Sequence, residues 1–160
     1  MKTIDKNILT CGLLTELTHS QAGNFEIIKK HWKMFNAELQ KYNLIQNGGN
    51  WEKYGITFKT NETYFYLTTI PQNGLVFPSY FISKEIPKGE YEIFTHTGKM
   101  ENIKQTIHNI YKNILPNSNL KIEHYSKTGF IHFEKYDYRF RWDKPTSIID
   151  IYLPLNTNMQ

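Results

Sequence analysis

The chain has 160 residues, of which 39% are hydrophobic and 15% aromatic, so it holds enough apolar material for a core and too much for a disordered chain. Its formal net charge of +4 comes from lysines spread along the sequence, with no RNA-binding aromatic motif and no DNA-reading helix-turn-helix, which excludes direct nucleic-acid binding as the expected role. The single cysteine, Cys11, excludes an internal disulfide, a CxxC pair and a cysteine-based zinc site, and fits the reducing cytoplasm. The first twenty residues have a polar break after Ile4, which argues against a signal peptide, and no stretch approaches the ~18 apolar residues of a membrane span. One unit over 1–160 is expected, in halves of about 8–70 and 80–155.

An early strand carries Cys11, expected as a small buried side chain. Residues 24–43, NFEIIKKHWKMFNAELQKYN, repeat Phe25, Ile28, Trp32, Phe35, Leu39 and Tyr42 along one helix face, with Asn24 as the cap. The glycines of NGGNWEKYG (47–55) end that helix. YGITFK (54–59) and TYFYLTTI (63–70) flank the turn TNE and predict a hairpin, in which Phe65 and Leu67 point one way and Tyr64, Tyr66 and Thr68 the other. PQNGLVFP (71–78) is a loop, and YFISKEIP (80–87) and EYEIFTHTG (90–98) are further strands. A second helix over 100–115 aligns Ile103, Ile107, Ile110 and Ile114 and stops at Pro116. GFIHFEKYDYRF (129–140) and SIIDIYLPL (147–155) form another hairpin. The order strand, helix, strand, strand occurs twice. It predicts an α+β fold of two βαββ units, with both helices on one face of an antiparallel sheet and a groove on the other.

Alternation then assigns directions. Ile149, Ile151, Leu153 and Leu155 are expected to face the helices, which turns Asp150 and Tyr152 to the open face. Ile131 and Phe133 likewise send His132, Glu134 and Tyr136 outward. Glu134, Asp150, Tyr64, Tyr66, Tyr136 and Tyr152 thereby gather on one surface, with Trp51 and Trp142 as further stacking rings. A ring face attracts a cation by about 0.5–2 kcal/mol, and a carboxylate partly withdrawn from water gains from a cationic ligand. The combination suits a flat, lipophilic organic cation. His132, two residues from Glu134, makes only half a metal site, so no metal or cofactor is expected. His96 is expected to steady the turn into the second helix, and the remaining four histidines to lie at the surface or rim.

The run YGITF…TYFYLTTI, followed by EIPKGEYEIFTHTGKMENIKQTIHNIYKNILPNS, FEKYDYRF and IDIYLPL, resembles the GyrI-like effector-binding domain, also found at the C-terminus of AraC-type and MerR-type transcription activators. The resemblance runs from about residue 8 to 155 and rests on Tyr91, His96, Gly98, Leu115-Pro116-Asn117-Ser118, Glu134-Lys135-Tyr136 and Ile151-Tyr152-Leu153-Pro154 in order. It implies pseudo-twofold symmetry between the units, a ligand groove between them, Glu134 as the main ligand-facing acid, and a second acid and tyrosine at Asp150 and Tyr152. Regulator members carry a DNA-binding domain ahead of this one. Here the resemblance begins within about ten residues of Met1, which leads us to expect a stand-alone member. Three roles remain open at this point. One is small-molecule binding, as a sensor, a sequestering protein or the effector-binding partner of a transcription regulator. Another is hydrolysis of reactive electrophiles, with Glu134 as base and Tyr66 or Tyr152 as proton donor. The third is protein partnership of the gyrase-inhibitor kind. The ligand's identity and the oligomeric state are likewise open.

Overall fold

The computed structural model describes residues 1–44 and 51–157, and the glycine-rich stop at 47–50 lies outside the described residues. Strand β1 (Lys2–Ile4) and strand β2 (Ile8–Glu16) lead into helix α1 (Gln21–Lys41), followed by β3 (Lys53–Thr60), β4 (Thr63–Pro71), β5 (Ile82–Ile86) and β6 (Gly89–Thr97). A 3-10 turn (Met100–Asn102), helix α2 (Ile103–Asn109) and a π-helical turn (Ile110–Ile114) then share the stretch expected as one continuous helix. Helix α3 (Tyr125–Thr128), β7 (His132–Tyr136) and β8 (Ile148–Pro154) complete the chain.

Helix α1 starts four residues earlier than its apolar repeat. Ser20, not Asn24, is the cap, and its Oγ accepts from the Gly23 N–H at 3.2 Å. Asn24 instead clips the end of β2 to the helix, its Oδ1 accepting from the Thr18 N–H at 2.7 Å and from the Thr18 hydroxyl at 2.9 Å. Trp32, Phe35 and Leu39 are buried, whereas Phe25 and Ile28 are half-buried and Tyr42 is exposed. Before α2, His96 bonds the Thr106 hydroxyl at 2.6 Å through Nδ1 and the Lys99 carbonyl at 2.9 Å through Nε2, tying strand to helix.

All strand pairs are antiparallel in one sheet of order β1-β6-β8-β7-β3-β4-β2-β5. The two βαββ units are visible in that order. The unit β2-α1-β3-β4 contributes β3-β4-β2, and β6-α2-β7-β8 contributes β7-β8-β6. They meet back to back at the β3–β7 pair, as a twofold relation requires. Only Pro87 and Lys88 connect β5, at one edge, to β6, second from the opposite edge. So short a link demands that the sheet curl until its edges approach. The curl gives the sheet an interior of its own, filled by Ile56, Leu67, Ile86, Tyr91, Phe130, Phe133 and Tyr152. Phe133 stacks on Tyr152 there, with ring centroids 4.6 Å apart. On the outer face the two helices close a second core, in which Trp32, Phe35 and Leu39 meet Met100, Ile103 and Ile110 over Ile149, Ile151 and Leu153.

Burial on both faces corrects one sequence expectation. Phe133 points into the curl, so His132, Glu134 and Tyr136 point to the helical face, together with Tyr64, Tyr66 and Thr68. Asp150 and Tyr152 do turn away from the helices, which leaves them opposite Lys135 and Phe133 and on the far side of the sheet from Glu134. The groove expected opposite the helices is therefore replaced, for Glu134, by a cleft between them. A second correction concerns His31, which is buried in α1 and donates from Nε2 to the Leu13 carbonyl at 2.7 Å. Among the described residues no helix is long and apolar enough to cross a membrane.

Candidate functional site

Strand β7 sits at the seam between the two units and carries Glu134, only 4% exposed, onto the helical face. Two phenols converge on one oxygen of its carboxylate. The hydroxyls of Tyr66, from β4, and of Tyr136, from β7 itself, each donate to Glu134 Oε1 at 2.6 Å. The Tyr66 hydroxyl in turn accepts from the Trp32 indole N–H of α1 at 3.1 Å. This chain of donors aims at a single acid from three elements, and such charge-assisted bonds are about twice as strong as neutral ones.

Gly55 makes the arrangement possible. It lies opposite Glu134 in the β3–β7 register, and a Cβ there would overlap the Tyr66 hydroxyl and stand 2.9 Å from Glu134 Oε1. In a sheet otherwise rich in β-branched and aromatic residues, glycine here leaves room for a hydrogen bond rather than for a turn.

Burial raises the pKa of Glu134 above its ordinary value, and the bonds from Tyr136 and Tyr66 oppose that rise without cancelling it. Burial and the adjacent carboxylate hold both phenols protonated, so they act as donors. Among the described residues no lysine, arginine or histidine pairs with Glu134. A buried carboxylate in that condition is costly by several kcal/mol unless a cation meets it.

Above Glu134 a cleft of about 130 Å³ opens between the helices. Leu17, Asn24, Phe25 and Ile28 line one side and Met100, Ile103, Lys104 and Ile107 the other. Phe25, Ile28 and Ile107 are half-buried, packed at the edge of the helical core and lining this space. Their helical spacing alone does not tell a cleft wall from a core face, since the periodicity of the two is the same.

The other residues expected in the site divide among three places. Tyr64 lines a depression of about 440 Å³ beside the cleft, with Thr57, Tyr111, His132 and, shared with the cleft, Leu17 and Asn24. Trp51 and Trp142 line a small gap of about 60 Å³ on the other side, with Trp32, Tyr136, Phe140 and Lys53. The Lys53 ammonium stands 5.5 Å from the Trp51 ring centroid and donates to Asn36 Oδ1 at 2.7 Å. Asp150 and Tyr152 lie across the sheet. There Arg139 Nη2 donates to Asp150 Oδ2 at 2.6 Å and to Asp137 Oδ2 at 2.9 Å, so the Asp150 charge already has its counter-ion.

Residues 4–155 match the family model described as Cass2, integron-associated effector binding protein. The transcriptional regulator BrlR of Pseudomonas aeruginosa is 33% identical over 85 residues, which is 52% of this chain but only 30% of that protein's length. A solved structure of SAV2435 bound to tetraphenylphosphonium superposes with a TM-score of 0.70 at 13% identity, covering 98% of this chain and 93% of that one. The integron cassette protein VCH_CASS2 from the mobile metagenome of Vibrio cholerae does so with a TM-score of 0.63 at 13% identity, covering 97% and 94%. These two likenesses concern the fold, and they agree with the curled antiparallel sheet and its two helices. With the family model spanning nearly its whole length, the chain belongs to the integron-associated effector binding proteins.

Proposed function

We propose that the chain binds a lipophilic organic cation in the cleft between α1 and α2, with Glu134 as the counter-charge. The observation that carries the reading is a carboxylate buried at the foot of an apolar cleft, held by two phenols and left without a cationic partner among the described residues. Apolar walls attract the body of such a ligand, and the acid selects its charge. Tyr66 and Tyr136 fix the carboxylate so that little reorganisation is needed on binding. The family's description as effector binding, the kinship with a transcriptional regulator and the tetraphenylphosphonium held by a protein of the same fold all support this reading. The protein serves as a sensor or sequestering domain, or as the effector-binding partner of a regulator, in the reducing cytoplasm that suits its free Cys11. Asp150 and Tyr152 have no part in this site.

Calorimetric titration with tetraphenylphosphonium and a neutral analogue of the same shape tests the proposal. The native chain is expected to bind the cation at least about tenfold more tightly than the neutral compound, about 1.4 kcal/mol, and Glu134→Gln is expected to remove the difference. Equal affinity of the native chain for both compounds would contradict it.

A further inference from the structure

The depression beside the cleft has its own chemistry. His132 forms part of its wall, buried on the same face of β7 as Glu134 and two residues before it. Tyr111, from the π-helical turn, bonds His132 Nδ1 at 2.8 Å. Either group can donate in that bond; with the phenol as donor the imidazole proton resides on Nε2, and in both tautomers the described residues supply Nε2 with no partner. Burial depresses the His132 pKa to about 4, which keeps the ring neutral at pH 7. The hydroxyls of Thr57 and Tyr64, in the same wall, also make no hydrogen bond among the described residues. The depression is thus polar, with His19 and Thr18 also in its wall, where the cleft is apolar apart from Glu134, Asn24 and Lys104. Leu17 and Asn24 line both, so the two spaces adjoin.

We propose that the depression is a second binding compartment, which receives an uncharged oxygen-bearing arm of the ligand, a hydroxyl, with His132 Nε2 as its hydrogen-bond partner. The effector is then an elongated molecule, cationic and apolar at one end and oxygenated at the other. This rests on the reading of the Glu134 cleft given above. Two residues along a strand span about 7 Å, so an arm of roughly six bonds reaches from one compartment to the other.

Hexyl-triphenylphosphonium and its omega-hydroxyhexyl counterpart test the compartment, with tetraphenylphosphonium as the armless control. In the native chain the hydroxyl compound is expected to bind about tenfold more tightly than the hexyl compound, the effect of one well-made buried hydrogen bond. His132→Leu is expected to abolish that advantage and His132→Gln, which keeps a donor, to retain part of it. Because His132 is buried, Thr57→Tyr provides a second route. It fills the depression from a half-buried position and is expected to remove the advantage while leaving tetraphenylphosphonium binding unchanged. Equal affinity of the two hexyl compounds in the native chain, or an advantage that survives both His132→Leu and Thr57→Tyr, overturns the compartment and leaves the cleft standing. Tetraphenylphosphonium binding that is indifferent to Glu134→Gln overturns the cleft itself, and the compartment with it.

Discussion

Glu134, buried at the foot of the cleft, is the proposed counter-charge. Its folded pKa is raised, so its contribution to stability is complete below the ordinary carboxylate range and is lost as pH rises through the folded value. Glu134→Gln removes the buried charge while its amide oxygen can still accept from Tyr66 and Tyr136. The variant is expected to melt at a higher temperature than the native chain at pH 8, with the gap closing below pH 4, as scanning calorimetry at both pH values would establish. A lower melting temperature at pH 8 would mean that the acid is a structural member and not a waiting counter-charge. Gly55→Ala has the opposite character. Its methyl displaces the Tyr66 hydroxyl from Glu134, and crowding of a packed site costs about 1–3 kcal/mol. Urea unfolding is expected to register that loss together with weakened cation binding, whereas an unchanged midpoint would deny the close approach.

At the scale of elements, the sequence makes the βαββ repeat legible because helix and strand periodicities differ and the glycines and prolines punctuate them. The grouping of Tyr64, Tyr66, Tyr136 and Glu134 on one face is also legible, since alternation within each strand is a local property. Which face that is cannot be read from alternation once both sides of the strand are buried. Phe133 and Ile151 are equally apolar, yet Phe133 packs in the curl and Ile151 under the helices. The deciding fact is the offset by which Glu134 opposes Ile151 and Gly55, and this register depends on pairing between strands far apart in sequence. His31 departs from its expected surface or rim position for a related reason. A histidine beside the apolar Trp32 sits at the border of the helix face, and only the carbonyl of Leu13 makes its burial acceptable. Burial lowers the pKa of both His31 and His132, so the unfolded chain takes up protons before the folded one. Stability is full above the unfolded histidine value of 6.5 and declines as pH falls toward about 4. From His132 alone the loss at pH 4 is on the order of 3 kcal/mol, with Glu134 acting in the opposite direction. Denaturant midpoints of Glu134→Gln across pH 4–8 check this without the opposing acid, and a flat profile between 6.5 and 4 in that variant would show that neither ring is held neutral.

For the molecule as a whole, the proposed site puts ligand binding at the seam between the two units, where it meets conformation. The cleft of about 130 Å³ is well below the roughly 300–1,000 Å³ of sites for drug-sized ligands. On the proposed reading, admission of a bulky cation requires α1 and α2 to part, with the half-buried Phe25, Ile28 and Ile107 as the contacts expected to yield. Spin labels at Met34→Cys on α1 and Asn109→Cys on α2, both exposed, read that separation while Cys11 stays buried. Saturation with tetraphenylphosphonium is expected to lengthen the distance by more than about 2 Å, and an unchanged distance with bound ligand would place the ligand elsewhere. The most direct measurement is the titration of the Glu134 carboxyl carbon by NMR, free and saturated with the cation. A value above the ordinary glutamate range in the free protein, falling when the cation is bound, is the predicted result. An ordinary value that does not move on binding would contradict the assignment of Glu134 as the counter-charge.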